Sequence, residues 1–355
     1  MKKSLSVILS VFNEEKIIGK SLQELVYFME SNFERNLWEI IIVDDGSNDN
    51  TVEIISKVIA NKSNICLLQH DRNMGQGRGF RSGFEKASGD ILITLDADLS
   101  YEPRYIGKLI DKMEKSKADI VIASAFLPGS NIIDVPFYRK ILTKCANKFL
   151  SLTSSLDLSA ITCAVKAYKR DAISMLSLKS DGMDINLEII LKAQMLGLHV
   201  AEIPATLKWK PISKSKSKQR RRSKMNILRT IYRYFFFGYL FSPNFLFLIP
   251  LCFSLFIFLV YFFTLLRVLI NKIQYFLVTQ SDPLFLAVSH ALRWTFANYT
   301  HAFYFLISSL VISFFLFIAW FLTKQNKFYF EQNYSLLSSL LSVQRKLLEK
   351  ESERQ

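Results

Sequence analysis

The chain has 355 residues, half of them hydrophobic, with 30 phenylalanines and a formal net charge of +14. That length holds a full core plus a further region, and such apolar, aromatic enrichment points to membrane segments. Its cysteines, Cys66, Cys145, Cys163 and Cys252, show no C-x-x-C spacing, which argues against a structural zinc or a disulfide framework and fits a reduced, cytosol-facing domain.

Residues 4–11 follow a short basic start without a small-residue cleavage site, so they read as a first strand and not a signal peptide. Asn13-Glu14-Glu15 is expected to open a helix to about position 35, with Asn13 as its cap and the two glutamates near its positive end. Strands are predicted at 38–44, 65–69, from 91 into Asp96 and Asp98, at 119–124 and at 162–168, with a short edge strand at 200–204. Helices are predicted at 49–59, 76–87, 103–115, 138–150 and 184–196, the last ended by Gly197. This alternation with short connections is the pattern of a doubly wound, mostly parallel, Rossmann-like α/β sheet.

The composition changes after Trp209. Eleven basic residues fall between positions 208 and 233, and no acidic residue lies between Glu202 and Asp282. Nucleic acid is one partner for such a stretch, but its place just ahead of an apolar block favours an anionic lipid surface. Residues 212–240 then read as a basic linker and juxtamembrane helix. Two uncharged blocks, 235–266 and 302–323, are long enough for spans, the first near 244–266 with a break or kink at Pro243 and Pro250. The basic linker before the first block and Lys324 and Lys327 after the second place both ends in the cytoplasm. The expected division is a catalytic domain at 1–211, the linker, two membrane helices with a connecting loop within 241–323, and a cytoplasmic tail at 324–355 whose residues 333–355 form an exposed amphipathic helix.

Four polar clusters fall at the carboxyl ends of predicted strands, where ligands gather in open α/β sheets. They are Asn13-Glu14-Glu15, Asp44-Asp45-Gly46-Ser47, Asn73-Met74-Gly75-Gln76-Gly77 and Asp96-Ala97-Asp98. Two carboxylates one residue apart can face one hard divalent cation, with a phosphate-bearing substrate completing its shell; an ordinary Asp-rich turn is the alternative. Asp184 and Glu188, four apart, share one face of the late helix, whether toward a ligand or toward solvent.

In this order the clusters resemble the family 2 glycosyltransferases of GT-A fold, and within them the membrane-anchored dolichol- or polyprenyl-phosphate sugar synthases, over about residues 4–211. The resemblance implies inverting transfer of a hexose from a nucleotide-sugar, of GDP-mannose or UDP-glucose type, to a polyprenyl phosphate at the cytoplasmic face of a plasma or inner membrane. It implies that Asp45, with Asp44, holds the nucleotide, that Asn13 and Glu15 edge the base pocket, and that Gly75 and Gly77 let the backbone approach the donor beside Arg81. Asp96 and Asp98 would bind Mg²⁺ or Mn²⁺ beneath the leaving diphosphate, and Glu188 would lie on the acceptor side, orienting the site. Lys166 stands where the family has an arginine, and Arg221, Arg222, Ser223 and Lys224 stand for a basic phosphate- and lipid-binding element. Departures are Ser10 for a common proline, Ser100 for a common glutamine, Asp157 three residues early, and a missing glycine in the basic element. A processive polysaccharide or glycolipid synthase is the rival enzyme, although Arg293-Trp294 lacks the expected glutamine. A membrane-tethered nucleotide-sugar binder without turnover is the rival from another class. Partners are the donor, the lipid acceptor and the bilayer, without nucleic acid; a homo-oligomer is compatible with the sequence.

Overall fold

The computed structural model describes residues 3–154, 158–209 and 243–352. Arg221, Arg222, Ser223 and Lys224, the expected juxtamembrane helix and Asp157 lie outside the described residues. The chain divides into two compact units, Met1–Phe237 with Glu331–Gln355, and Gly238–Phe330.

The first unit carries β1 (Leu5–Val11), β2 (Trp38–Asp44), β3 (Ile65–Gln69), β4 (Ile91–Asp96), β5 (Ile120–Ser124), β6 (Ile132–Ile133), β7 (Lys166–Lys169), β8 (Val200–Pro204) and β9 (Leu207–Lys208). Its helices are α1 (Ile18–Asn32), α2 (Thr51–Ile59), α3 (Gln76–Lys86), α4 (Tyr105–Ser116), α5 (Phe137–Ser154), α6 (Arg170–Met175) and α7 (Ile185–Met195). Seven strands form one sheet in the order β3-β2-β1-β4-β7-β5-β8, while β6 and β9 pair separately. All pairings in the large sheet are parallel except those of β7, which runs antiparallel to both β4 and β5.

The central strands read as unbroken apolar runs because both faces are covered. Leu5, Val7, Leu9 and Val11 share one core with Ile18, Leu22, Leu25 and Met29 of α1 and Ile106 and Leu109 of α4. On the opposite face Ile8 lies against α3. The connection from β3 to β4 through α3 passes back across β2 and β1, so strand order reverses between β1 and β4. That reversal opens a crevice beyond the strand ends, the usual ligand position in such sheets.

Two local expectations change. Helix α1 begins at Ile18, with Ile17 as a cap that makes no side-chain hydrogen bond. Asn13 is not its cap; it sits at φ 53, in the left-handed region. The strand expected from 162 starts only at Lys166.

In the second unit α8 spans Pro243–Thr279 and α9 spans Leu284–Asn298; α10 spans Thr300–Ser352 and continues into the first unit. Two helical segments, Phe247–Thr279 and Thr300–Leu340, are long and apolar enough to cross a membrane. Only 17% and 11% of their most apolar windows are buried within the protein, so neither is a core helix. Pro243 starts α8, where its missing N–H costs nothing, and Pro250 is carried inside the helix. Ser254 donates to the Ser309 carbonyl at 2.9 Å and receives a bond from Ser313 at 3.0 Å, a small-residue polar contact typical of helices packed in lipid. The segment between the two apolar blocks holds α9, and the Lys272 ammonium lies 3.8 Å from the centre of the Trp294 ring.

The tail is helical as expected, but it is not wholly exposed. Tyr334 and Ser338 are buried, and both bond to the first unit, of which they are part.

Candidate active site

Strand register assembles the polar clusters. Val11 pairs with Asp44 and Ser10 with Asp96, so the ends of β2, β1 and β4 lie side by side. The turn after β1 is laced to the loop after β2. The Asn13 amide donates to Ser47 Oγ at 2.9 Å, Asn13 Oδ1 accepts from the Asn48 amide at 2.8 Å, and Glu15 Oε2 accepts from the Asn50 amide at 3.2 Å. Asn13 and Glu15 therefore hold the loop that carries the adjacent carboxylates.

Those two carboxylates are both buried and do different work. Asp45 Oδ1 accepts from the Met74 amide at 2.9 Å and from His70 Nδ1 at 2.9 Å, and Oδ2 accepts from the Gly75 amide at 2.7 Å. A carboxylate only accepts, so His70 carries a proton on Nδ1, and its Nε2 lies 3.0 Å from Ser82 Oγ. Asp45 is thus committed to the glycine loop. Asp44 Oδ2 accepts from the Ser47 amide at 3.0 Å, whereas its Oδ1 is a buried oxygen with no protein donor among the described residues. Of the pair, both oxygens of Asp45 accept protein donors, and Asp44 Oδ1 is the one left without any among the described residues. An orphaned buried acceptor costs about 1–3 kcal/mol, which a ligand N–H or hydroxyl would offset.

The glycine loop is also not what its spacing suggested. Gly75 has φ +101, and a Cβ on it would stand 2.3 Å from the Asp181 carbonyl oxygen; one on Gly77 would stand 2.4 Å from that of Ser180. These glycines admit the chain at 180–182. The Asp181 carbonyl accepts from the Gly77 and Arg78 amides at 2.7 and 3.2 Å, so the start of α3 is capped by protein. Arg81 turns to the same segment, donating to the Leu178 carbonyl at 3.2 Å and pairing with Asp181. It braces this loop. Gly75→Ala should cost at least about 1–3 kcal/mol from backbone strain alone, with the clash added. Chemical unfolding checks this, and an unchanged midpoint would show that the 180–182 backbone yields.

At the end of β4 the chain turns through Leu99 at φ 47, and Asp98 Oδ1 accepts from the Ser100 amide at 2.9 Å. Gln76 Nε2 reaches Asp96 Oδ1 at 3.5 Å, and Gln76 Oε1 is a second buried oxygen without a donor among the described residues. Among those residues no three His, Cys, Asp or Glu side chains cluster as a metal cage. A carboxylate pair nonetheless fits Mg²⁺ or Mn²⁺, hard ions that complete their shells with water and substrate phosphate.

Lys166 lies behind this turn. It sits opposite Thr94 of β4 and Ile122 of β5 in the middle of the sheet, wholly buried. Its ammonium donates to Asn186 Oδ1 at 2.9 Å and to the Cys163 carbonyl. Burial lowers its pKa to about 8, with Cys163 and Asp96 acting in the opposite sense. A side chain so enclosed cannot reach a lipid phosphate on the surface, which corrects that expectation and makes Lys166 an internal cation beneath Asp96.

Glu188 is buried on α7, neither solvent-facing nor open to an acceptor. Its carboxylate accepts from the Lys179 and Ser180 amides at 3.0 and 2.8 Å and from Lys192 at 2.5 Å. It positions the 177–180 backbone. The residues that sequence reading missed are His70, Gln76, Asp181 and Asn186. Only Asp181-Gly182 carried a signal, that of a turn dipeptide.

Residues 6–176 match the family described as glycosyl transferase family 2. The chain is similar to glycosyltransferase AglD of Haloferax volcanii, 29% identical over 58% of this chain and 33% of that protein. It is similar to a dolichol-phosphate mannosyltransferase of Pyrococcus furiosus, 29% identical over 64% of this chain and 63% of the other. It is similar to a dodecaprenyl-phosphate galacturonate synthase of Rhizobium johnstonii, 29% identical over 50% and 51%. The chain spans 33%, 63% and 51% of the lengths of these curated relatives.

Proposed function

Residues 6–176 are a glycosyl transferase family 2 domain, and from that premise we propose that the chain transfers a hexose, with inversion, from a nucleotide-sugar to a polyprenyl phosphate. The observation that carries the donor side is Asp44 Oδ1, a buried carboxylate oxygen at the end of β2 with no protein donor among the described residues. It suits a base N–H or a ribose hydroxyl. Two relatives are named for a polyprenyl phosphate with different sugars, mannose and galacturonate. They support the acceptor class while leaving the sugar open, and the two apolar helices support a lipid acceptor by proximity.

Asp96 and Asp98 would hold Mg²⁺ or Mn²⁺, which when bound neutralises charge developing on the diphosphate leaving group. Asp44 anchors the nucleotide, while Asp45 and His70 keep the glycine loop in place beside it. Gln76 faces Asp96 from α3 and has a carbonyl oxygen to offer a sugar hydroxyl. A lipid phosphate oxygen then attacks the anomeric carbon from the side opposite the leaving group. That phosphate is already ionised near neutral pH, so no side chain has to remove a proton. Lys324, Lys327 and the basic stretch that includes Arg221, Arg222 and Lys224 support a cytoplasmic catalytic face, with the basic stretch as tether and phosphate contact.

The test uses membranes containing the full chain, labelled nucleotide-sugars in parallel, polyprenyl phosphate and Mn²⁺. Label from one donor should enter the organic-extractable fraction and be lost with a chelator. Donor binding without a lipid product would overturn the acceptor assignment.

A further inference from the structure

The segment 175–181 runs between the glycine loop and the far end of the chain, and side chains grip its backbone at successive positions. The Ser338 hydroxyl donates to the Met175 carbonyl at 2.7 Å, and Tyr334 Oη accepts from the Ser177 amide at 3.3 Å. The Ser177 carbonyl accepts from Lys192, whose ammonium also lies 5.5 Å from the centre of the Tyr334 ring. Arg81 takes the Leu178 carbonyl, Glu188 takes the Lys179 and Ser180 amides, and the Asp181 carbonyl takes the Gly77 and Arg78 amides. The last residue before those, Gln76, touches Asp96.

Tyr334 and Ser338 come from α10, downstream of its uncharged part, which ends at Thr323 with Lys324 following. Thr300–Leu340 is 41 residues, about 60 Å of helix against a hydrocarbon core of about 30 Å. Residues 334 and 338 therefore fall in the part of the helix that a bilayer does not require. Being buried and bonded to Ser177 and Met175, they are placed to decide where 175–181 lies.

We propose that Tyr334 and Ser338 are positioning residues for the donor site: the part of α10 beyond its uncharged stretch latches 175–181, and that segment fixes the glycine loop and Gln76. The link to the donor rests on the nucleotide-sugar reading of the site beside the glycine loop; the latch itself does not.

The experiment is hydrogen exchange of the full chain in lipid nanodiscs, comparing wild type, Tyr334→Phe, Tyr334→Phe/Ser338→Ala, and Ser339→Ala as control. Tyr334→Phe keeps the ring and loses the acceptor. Ser339 is exposed and its hydroxyl donates to the Leu336 carbonyl of its own helix. Peptides covering 175–182 and 74–80 should exchange about tenfold faster in the double variant, those from β1 and β4 should be unchanged, and the control should match wild type. Donor KM should rise several-fold with a smaller change in kcat. Unchanged exchange at 175–182 would overturn the latch, and loosening confined to 175–182, with 74–80 and donor KM as in wild type, would overturn its transmission to the donor site. Should no nucleotide-sugar support turnover, the transferase reading falls while the exchange result still decides the latch.

Discussion

Asp98→Ala should lower sugar transfer by about 10²–10³-fold, the range seen when one preorganised group that stabilises developing charge is removed. The fold should survive. Asp98 Oδ1 accepts from the Ser100 amide at 2.9 Å, and losing such an acceptor costs about 1 kcal/mol. Asp98→Asn is the sharper variant. It keeps an oxygen for Ser100 but lacks the charge, so it should be as stable as wild type and nearly as inactive as the alanine. Mn²⁺ titrations of initial rate on both variants provide the measurement. Activity within tenfold of wild type at saturating Mn²⁺ would remove the carboxylate pair from the chemistry. Asp96 is a poorer probe, because its loss would also deprive the buried Lys166 ammonium of a neighbouring negative charge. Activity and stability would then fall together and could not be separated.

Glu188→Ala should cost about 3–5 kcal/mol of stability, as expected when one partner of a buried ion pair is removed. Here the loss strands the Lys192 ammonium and two backbone amides at once. Glu188→Gln retains one accepting oxygen and should fall between. The pH dependence separates positioning from proton removal. If Glu188 took a proton from the acceptor, the glutamine variant would lose the acidic limb of its rate profile. As a positioning residue it leaves the profile's shape unchanged, with a lower amplitude and a higher donor KM. A phosphate monoester has a second pKa of about 6, so any limb that remains in both proteins belongs to the acceptor.

The strands and most helices were legible because their signals are local. Apolar runs of the right length, bounded by turn residues, placed β2, β3 and β8 at their observed ends. The polar clusters were legible as a set, since each follows a strand end in a parallel sheet. Their division of labour was not. Asp44 and Asp45 are neighbours with the same chemistry, and only the fold of 70–75 around Asp45 leaves the other with the unsatisfied oxygen. The partner of Arg81 was not legible because Asp181 lies 100 positions away. The partners of Glu188 were not legible because helical spacing does not record what packs on the polar face.

The sequence by itself determined a doubly wound sheet, a carboxylate pair at the end of β4, a family 2 resemblance and two apolar segments of membrane length. Each depends on residue type and short-range spacing. Tertiary structure decided which carboxylates are committed to backbone amides, why Gly75 and Gly77 have no side chains, and that the tail closes on 175–177. It also decided that Lys166 is an internal cation, because β7 enters antiparallel between β4 and β5. These outcomes are set by contacts between segments far apart in the chain, where burial and hydrogen-bond satisfaction, not local propensity, select the arrangement.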